Sequence, residues 1–230
     1  FAVIAASGAA YYTIVTQDAV LDEKKLVISD DKIEIFDANG RAVKDAAAFS
    51  PKETFRLDSL SEKVKFAFVD TEDKRFYDHD GFDYKRIVKA TWKNLKSRSF
   101  KEGASTISQQ LIKNTHLSQE KTIKRKLKEF KLTRQLEKRY TKDEILEKYL
   151  NTIYFGQSAY GVQSAAQTYF GKDVRDLTLA QCASIIGITN NPSRYSPFAS
   201  VENNKKRTKT ILYEMYDQDY ISHEEYTAAV

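Results

Sequence analysis

Thr122-Ile-Lys-Arg-Lys-Leu-Lys-Glu-Phe-Lys-Leu-Thr-Arg-Gln-Leu-Glu-Lys-Arg-Tyr140 runs without a glycine or a proline and reads as one long helix. Lys121, Arg125 and Glu129 lie four residues apart and share a face, while Ile123, Leu127 and Phe130 form a second stripe. At about 100° per residue the two stripes are rotated by about 200°. The spacing therefore predicts that the apolar stripe packs and that the other face presents two cations and a carboxylate to a cleft. A merely exposed Arg125–Glu129 pair would contribute only about 0.2–0.5 kcal/mol. From Lys121 to Arg139 there are nine basic residues against Glu129 and Glu137, a local charge of +7 in a chain whose net charge is +5. Such a strip calls for an anionic ligand, an anionic lipid surface or nucleic acid, unless it is an ordinary solvated face.

The rest of the chain supports a mainly helical fold. Eight glycines and three prolines in 230 residues are too few for a sandwich of many tight turns. Helical spacing carries Leu60, Val64, Ala67 and Phe68 to Glu72. It recurs over Tyr84–Lys96, with Ile87, Ala90, Thr91 and Leu95 on one side. A glycine bend at Gly103 leads to a helix from Ser105 to about Leu117, with Ser105 or Thr106 as its cap. Thr141 with Glu144, Thr178 with Gln181 and Ser222 with Glu225 are capping boxes, and Gly171 is a helix stop. Upstream, residues 1–17 carry no charge but fall short of the roughly 20 apolar residues of a full span. They read as the C-terminal part of a membrane-anchoring helix, with Tyr11 and Tyr12 as an interfacial belt. Residues 18–56 read as a linker with a short β-hairpin over Ile33–Val43, turning at Asn39-Gly40. The main domain then covers 57–230.

Titratable groups concentrate in Glu72-Asp-Lys-Arg-Phe-Tyr-Asp-His-Asp-Gly-Phe-Asp83, around a turn that Gly81 must close. Asp73, His79 and Asp83 suit a supporting role in that loop, whereas Glu72 has the reach of a general base. In Gly103-Ala-Ser-Thr-Ile-Ser-Gln-Gln110 a glycine bend precedes free helix amides and the hydroxyls of Ser105 and Thr106, a setting that can hold an anion. Gln109, Gln110, Lys113 and Asn114 extend this polar edge. His79, His116 and His223 are too scattered for a zinc site, and Ser105 stands in no Gly-x-Ser-x-Gly elbow. Cys182, within the apolar run Leu179–Ile188, reads as a small buried hydrophobe.

Together these blocks resemble the peptidoglycan glycosyltransferase family, found in bifunctional class A penicillin-binding proteins and in monofunctional transglycosylases. Glu72-Asp73-x-x-Phe76-x-x-His79-x-Gly81-x-Asp83 is similar to the first family motif, Gly103-x-Ser105-Thr106-x-x-Gln109-Gln110 to the second and Arg125-Lys126-x-x-Glu129 to the third. Lys142-x-x-Ile145-Leu146-Glu147-x-Tyr149-Leu150-Asn151 resembles the fourth, and Arg207 with Ile211, Leu212 and Met215 the fifth, with Thr208 where a second arginine often stands. The resemblance implies a lysozyme-like, two-lobed helical domain over 57–230, one lobe of it partly sunk in the membrane. It implies polymerisation of a lipid-linked disaccharide-peptide into glycan strands, with inversion and release of polyprenyl pyrophosphate, on the outer face of the bacterial cell membrane. In that scheme Glu72 is the base and Glu129 the second catalytic carboxylate. Asp73, Ser105, Thr106, Gln109, Gln110, Lys113, Lys121, Arg125, Lys126 and Arg207 would face substrate. His79, Gly81, Asp83, Gly103, Glu147 and Asn151 would support them. The implied cofactor is Mg2+ or another divalent cation shared with the substrate pyrophosphate, with no metal site of the protein's own. The implied partners are the lipid-linked precursor, the growing strand, the membrane and other cell-wall synthesis proteins.

The residues themselves agree with an inverting displacement, which needs a carboxylate at the nucleophile and cations at the leaving group. A lysozyme-like glycoside hydrolase would have no pyrophosphate for the cationic strip to bind. A membrane-binding or nucleic-acid module would leave Glu72 without a task, and no nucleic-acid motif accompanies the strip.

Overall fold

The computed structural model describes residues 2–27, 39, 41, 54–97, 103–118 and 120–230, the side chains of residues 2–6 excepted. The expected hairpin over 33–43 lies outside the described residues apart from Asn39 and Arg41. Eleven α-helices are present among the described residues: α1 (Ala2–Thr16), α2 (Glu62–Asp73), α3 (Tyr84–Ser97), α4 (Ile107–His116), α5 (Ile123–Arg139), α6 (Lys142–Thr152), α7 (Val162–Phe170), α8 (Leu179–Thr189), α9 (Pro192–Tyr195), α10 (Val201–Asp217) and α11 (His223–Ala229). The only β pairing there is an isolated antiparallel bridge between Tyr154 and Tyr160. The mainly α expectation therefore holds. No helix among the described residues is long and apolar enough to cross a membrane.

The helix boundaries follow their caps. Thr106, Thr178 and Ser222 each accept from the amide three residues on, and Gln109, Gln181 and Glu225 reach back to complete the boxes. Thr141 and Glu144 exchange the same pair of bonds ahead of α6. Gly171 ends α7 at φ +62°, the left-handed conformation glycine adopts without a steric cost. The chain divides into two compact units, one formed by Phe1–Lys25 with Lys65–Tyr149, the other by Leu26–Val64 with Leu150–Val230.

In the first unit α5 packs against both α1 and α4. Its buried stripe is Glu129, Leu132, Thr133 and Leu136, at i, i+3, i+4 and i+7. This corrects the expectation that Ile123, Leu127 and Phe130 form the packed stripe. Ile123 is 77% exposed, and Phe130 instead stacks on Phe82 with ring centroids 4.5 Å apart. Leu132 lies nine residues beyond Ile123, half a turn out of phase, so α5 carries two opposed apolar stripes and buries the one that contains the carboxylate. α3 departs from expectation in the same way. Ala90 is buried, but Tyr84, Val88, Trp92 and Leu95 face outward.

In the second unit α8 lies close against α10. Gly187 permits the approach, since a Cβ there would stand 2.9 Å from Arg207 Cγ. Cys182 is buried on α8, and burial pushes its thiol up to about 12, which fits an inert core residue. Asn151 brackets Phe55 with two bonds, accepting from its amide and donating to its carbonyl, both at 3.0 Å. Gly161, at φ +84°, passes so close that a Cβ would meet the Asn151 carbonyl at 2.5 Å.

Candidate active site

The site in the first unit is organised by the start of α4. Thr106, fully buried, caps α4 through its hydroxyl and donates that hydroxyl's proton to the Gly81 carbonyl at 2.7 Å. Asp73, at the end of α2, is 0% exposed and accepts from the Ile107 amide at 3.0 Å and from His79 Nε2 at 3.1 Å. His79 Nδ1 accepts from the Gly81 amide, so the network assigns the ring proton to Nε2, where it can be given to Asp73. Gly81 sits at φ +87°, and a Cβ there would come within 2.8 Å of Thr133 and 2.9 Å of Glu137. Asp83 accepts from Arg75 Nε at 3.0 Å and from the Arg86 amide at 2.8 Å. Burial works against its charge, but the Arg75 guanidinium and that amide hold its carboxyl below the ordinary value. The loop around residues 73–83 is thus locked to α4 by buried polar bonds.

The two carboxylates singled out from the sequence are held by consecutive residues of α4. Gln110 Nε2 donates to Glu72 Oε2 at 3.0 Å, and Gln109 Nε2 donates to Glu129 Oε1 at 2.9 Å. The Glu72 backbone carbonyl accepts from Arg86 at 2.6 Å, which fixes the end of α2. Tyr149 donates to Gln110 Oε1 at 3.3 Å, orienting the amide whose nitrogen faces Glu72. Burial first, then the charges of Glu72 and Asp73, push the Tyr149 phenol well above its usual range, so it serves as a donor.

Glu129 is 2% exposed and receives Arg125 NH1 at 2.6 Å together with Lys126 Nζ. A buried carboxylate is costly unless it is paired and hydrogen-bonded, and here two cations and one amide share its two oxygens. The Arg125–Glu129 pair is therefore an interior fixture that organises α5. Around it Lys126 remains half-exposed, Lys113 is partly exposed, and Ser105 and Lys121 face solvent. Gly103 is exposed with open space around it.

Among the expected substrate contacts, Asp73, Thr106 and Gln109 are buried, with polar atoms engaged by the framework. Arg207 lies on α10 in the second unit with a buried Nε. Asn151 supports the backbone as expected, and Glu147 lies part-buried on α6. Glu129 spends both oxygens on its neighbours, and no group of three potential ligands clusters among the described residues. The described residues therefore form no dedicated divalent-cation cage around Glu129.

Glu137 is a further member of this framework that was not legible beforehand. It accepts from Ser108 of α4 and pairs with Lys142 at 2.8 Å, while the Lys142 ammonium lies 4.6 Å from the centre of the Phe76 ring. Its signal was its place at i+8 on the stripe of Glu129, Leu132, Thr133 and Leu136.

Comparison with known proteins identifies the family. A family model described as transglycosylase matches residues 40–216. The chain is 42% identical over 211 residues to penicillin-binding protein 1F of Bacillus subtilis, covering 91% of the chain and 29% of that protein. It is 40% identical over 232 residues to penicillin-binding protein 4 of the same organism, covering 99% of the chain and 37% of the relative. A crystal structure of penicillin-binding protein 1A from Haemophilus influenzae aligns with 27% identity and a TM-score of 0.48, over 85% of this chain and 19% of that one. The chain thus spans roughly a third of the length of these curated relatives. Over the length that it does span, the chain belongs to the transglycosylase family and carries the peptidoglycan glycosyltransferase domain that it shares with the penicillin-binding proteins.

Proposed function

We propose that the domain polymerises a lipid-linked disaccharide-peptide into glycan strands by inverting transfer with release of polyprenyl pyrophosphate. The observation that carries this reading is the pairing of consecutive α4 side chains with the two acids, Gln110 with Glu72 and Gln109 with Glu129. Glu72 takes the proton from the 4-hydroxyl of the acceptor sugar. That oxygen attacks the anomeric carbon of the donor strand, and the bond from that carbon to the pyrophosphate oxygen breaks. Negative charge builds on the departing pyrophosphate, where Lys113, Lys121, Arg125 and Lys126 oppose it. Glu129 sets the position of Arg125 and Lys126 rather than giving up a proton, since its oxygens are already committed to donors. A magnesium ion would take its oxygens chiefly from the substrate phosphates.

The test supplies lipid-linked disaccharide-peptide to the wild type and to Glu72→Gln and follows polymer. Loss of a general base is expected to slow the reaction by about 10²–10⁴-fold. Polymerisation at the wild-type rate would remove Glu72 from that role, and release of reducing sugars from finished glycan would point to hydrolysis.

We place this reaction at the outer face of the bacterial cell membrane. On α3 the exposed Tyr84, Val88, Trp92 and Leu95 fall within about 80° of one another, and Lys85, Lys89, Lys93 and Lys96 occupy the adjoining sector. An apolar stripe flanked by lysines suits the headgroup boundary of an anionic bilayer. Trp92 is the only tryptophan, so its fluorescence reports on this helix alone. Its emission is expected to shift to the blue with phosphatidylglycerol vesicles and to stay unchanged in Val88→Asp/Leu95→Asp. An unshifted wild type would detach α3 from the membrane.

A further inference from the structure

Beyond the two carboxylates, the first unit contains a cavity of about 390 Å³ where the chain leaves α1 and meets the start of α5. Asp18, Lys25, Lys124, Arg125 and Lys128 line it, together with Glu120. Four cations thus face two carboxylates, and Asp18 is already engaged by Lys128 at 2.6 Å. The Asp18 carboxyl is held below its ordinary value, chiefly by that Lys128 bond. Arg125 bonds Glu129 through NH1, while its buried Nε has no hydrogen-bond partner. The cavity wall thus carries more positive than negative side chains, the setting in which a phosphate group is held. The start of α5 adds the positive end of a 17-residue helix to the same wall. α1, which ends two residues before Asp18, carries no charged residue from Ala2 to Thr16. Lys113 and Lys121 do not line it, so it is not simply the surroundings of the carboxylates.

We propose that this cavity is a binding site for a phosphate ester, a second anion site on the α1 side of α5. The ester can arrive as the headgroup of an anionic lipid, for which an uncharged helix ending at a cationic cavity is the fitting geometry, or as a soluble phosphate. Lys25 and Lys124, both exposed at the wall, supply the attraction. The site shares Arg125 with the cations set against the pyrophosphate above, but its test follows binding and needs no turnover.

His116 also lines the cavity and is one of three histidines in the chain, so its ring resonances make a local reporter. The whole chain in zwitterionic bicelles is titrated with phosphatidylglycerol and, separately, with glycerol 1-phosphate, while all three imidazoles are followed by NMR. A saturable shift confined to His116 is expected, weakened by at least about tenfold in Lys25→Glu/Lys124→Glu and retained in the α3 variant Lys85→Glu. A response to the lipid alone assigns the site to a headgroup, and a response to both assigns it to the phosphate group itself. A thermal melt of the double variant establishes that it is folded, as expected for two exposed side chains. No shift at His116, an equal shift at all three histidines, or a shift undiminished in the folded double variant would each overturn the proposal.

Discussion

One methylene separates glutamate from aspartate, and at the end of α2 that difference in reach accompanies two distinct environments. Asp73 points inward and ties α4 and the His79 ring to its own helix, while Glu72 meets the Gln110 amide on a partly exposed surface. The two residues should therefore fail in different ways. Asp73→Ala leaves the Ile107 amide and the His79 ring N–H without an acceptor in the interior. At about 1–3 kcal/mol for each orphaned group, urea unfolding is expected to show a loss of about 3 kcal/mol. Glu72→Gln keeps the shape and an acceptor for Gln110, so its stability should stay within about 0.5 kcal/mol of wild type while its activity falls. Full stability in Asp73→Ala together with complete inactivity would move Asp73 from positioning to direct contact with substrate.

At the scale of the element, the start of α4 joins the supporting loop to the pair of acids, and Thr106 is its hinge pin. Thr106→Val removes the cap of the Gln109 amide and the donor to the buried Gly81 carbonyl. A lost cap costs about 1–2 kcal/mol, which in a chain of this length lowers the melting temperature by roughly 2–8 °C. Polymerisation should fall with it, because Gln109 and Gln110 ride on that turn, and Thr106→Ser should restore both. If Thr106→Val melts lower yet polymerises normally, α4 does not set the geometry of the acids. This element was legible in advance because capping residues act locally and leave a fixed spacing. The packing of α5 was less so: Ile123 and Leu127 oppose Leu132 and Leu136, and periodicity alone does not say which stripe meets the core. Hydrophobicity favoured the stripe without a carboxylate. The fold buries the other, since Gln109, Arg125 and Lys126 together satisfy Glu129. The apolar face of α3 was likewise visible as a stripe, whereas its exposure was not, because sequence periodicity does not distinguish a protein core from a lipid boundary.

Across the whole chain the electrostatics make a definite statement about acid. His116 is held below its usual 6.5, first by burial and then by the Lys25 charge, with the Asp22 contacts opposing. Its ring is thus neutral in the native state, while an unfolded histidine takes up a proton as pH falls through about 6.5. Acidification through that range favours the unfolded chain, so stability begins to decline there. The carboxylates act lower down. Asp173 is held at about 2, chiefly by its hydrogen bond from Arg175, and Asp83 is also lowered. A depressed carboxyl contributes its full stability above the unfolded value near 3.9 and loses it as pH falls toward the native value. Denaturation midpoints followed from pH 8 to pH 2 should therefore fall in two stages, a shallow one starting near 6.5 and a steeper one below about 4. His116→Gln should flatten the first and leave the second, and Asp173→Asn should reduce only the second. A single decline confined below pH 4 in the wild type would mean that the His116 ring takes up its proton equally well folded and unfolded. The wall of the α1–α5 cavity would then be more open to water than its contacts with Thr115 and Asp22 imply.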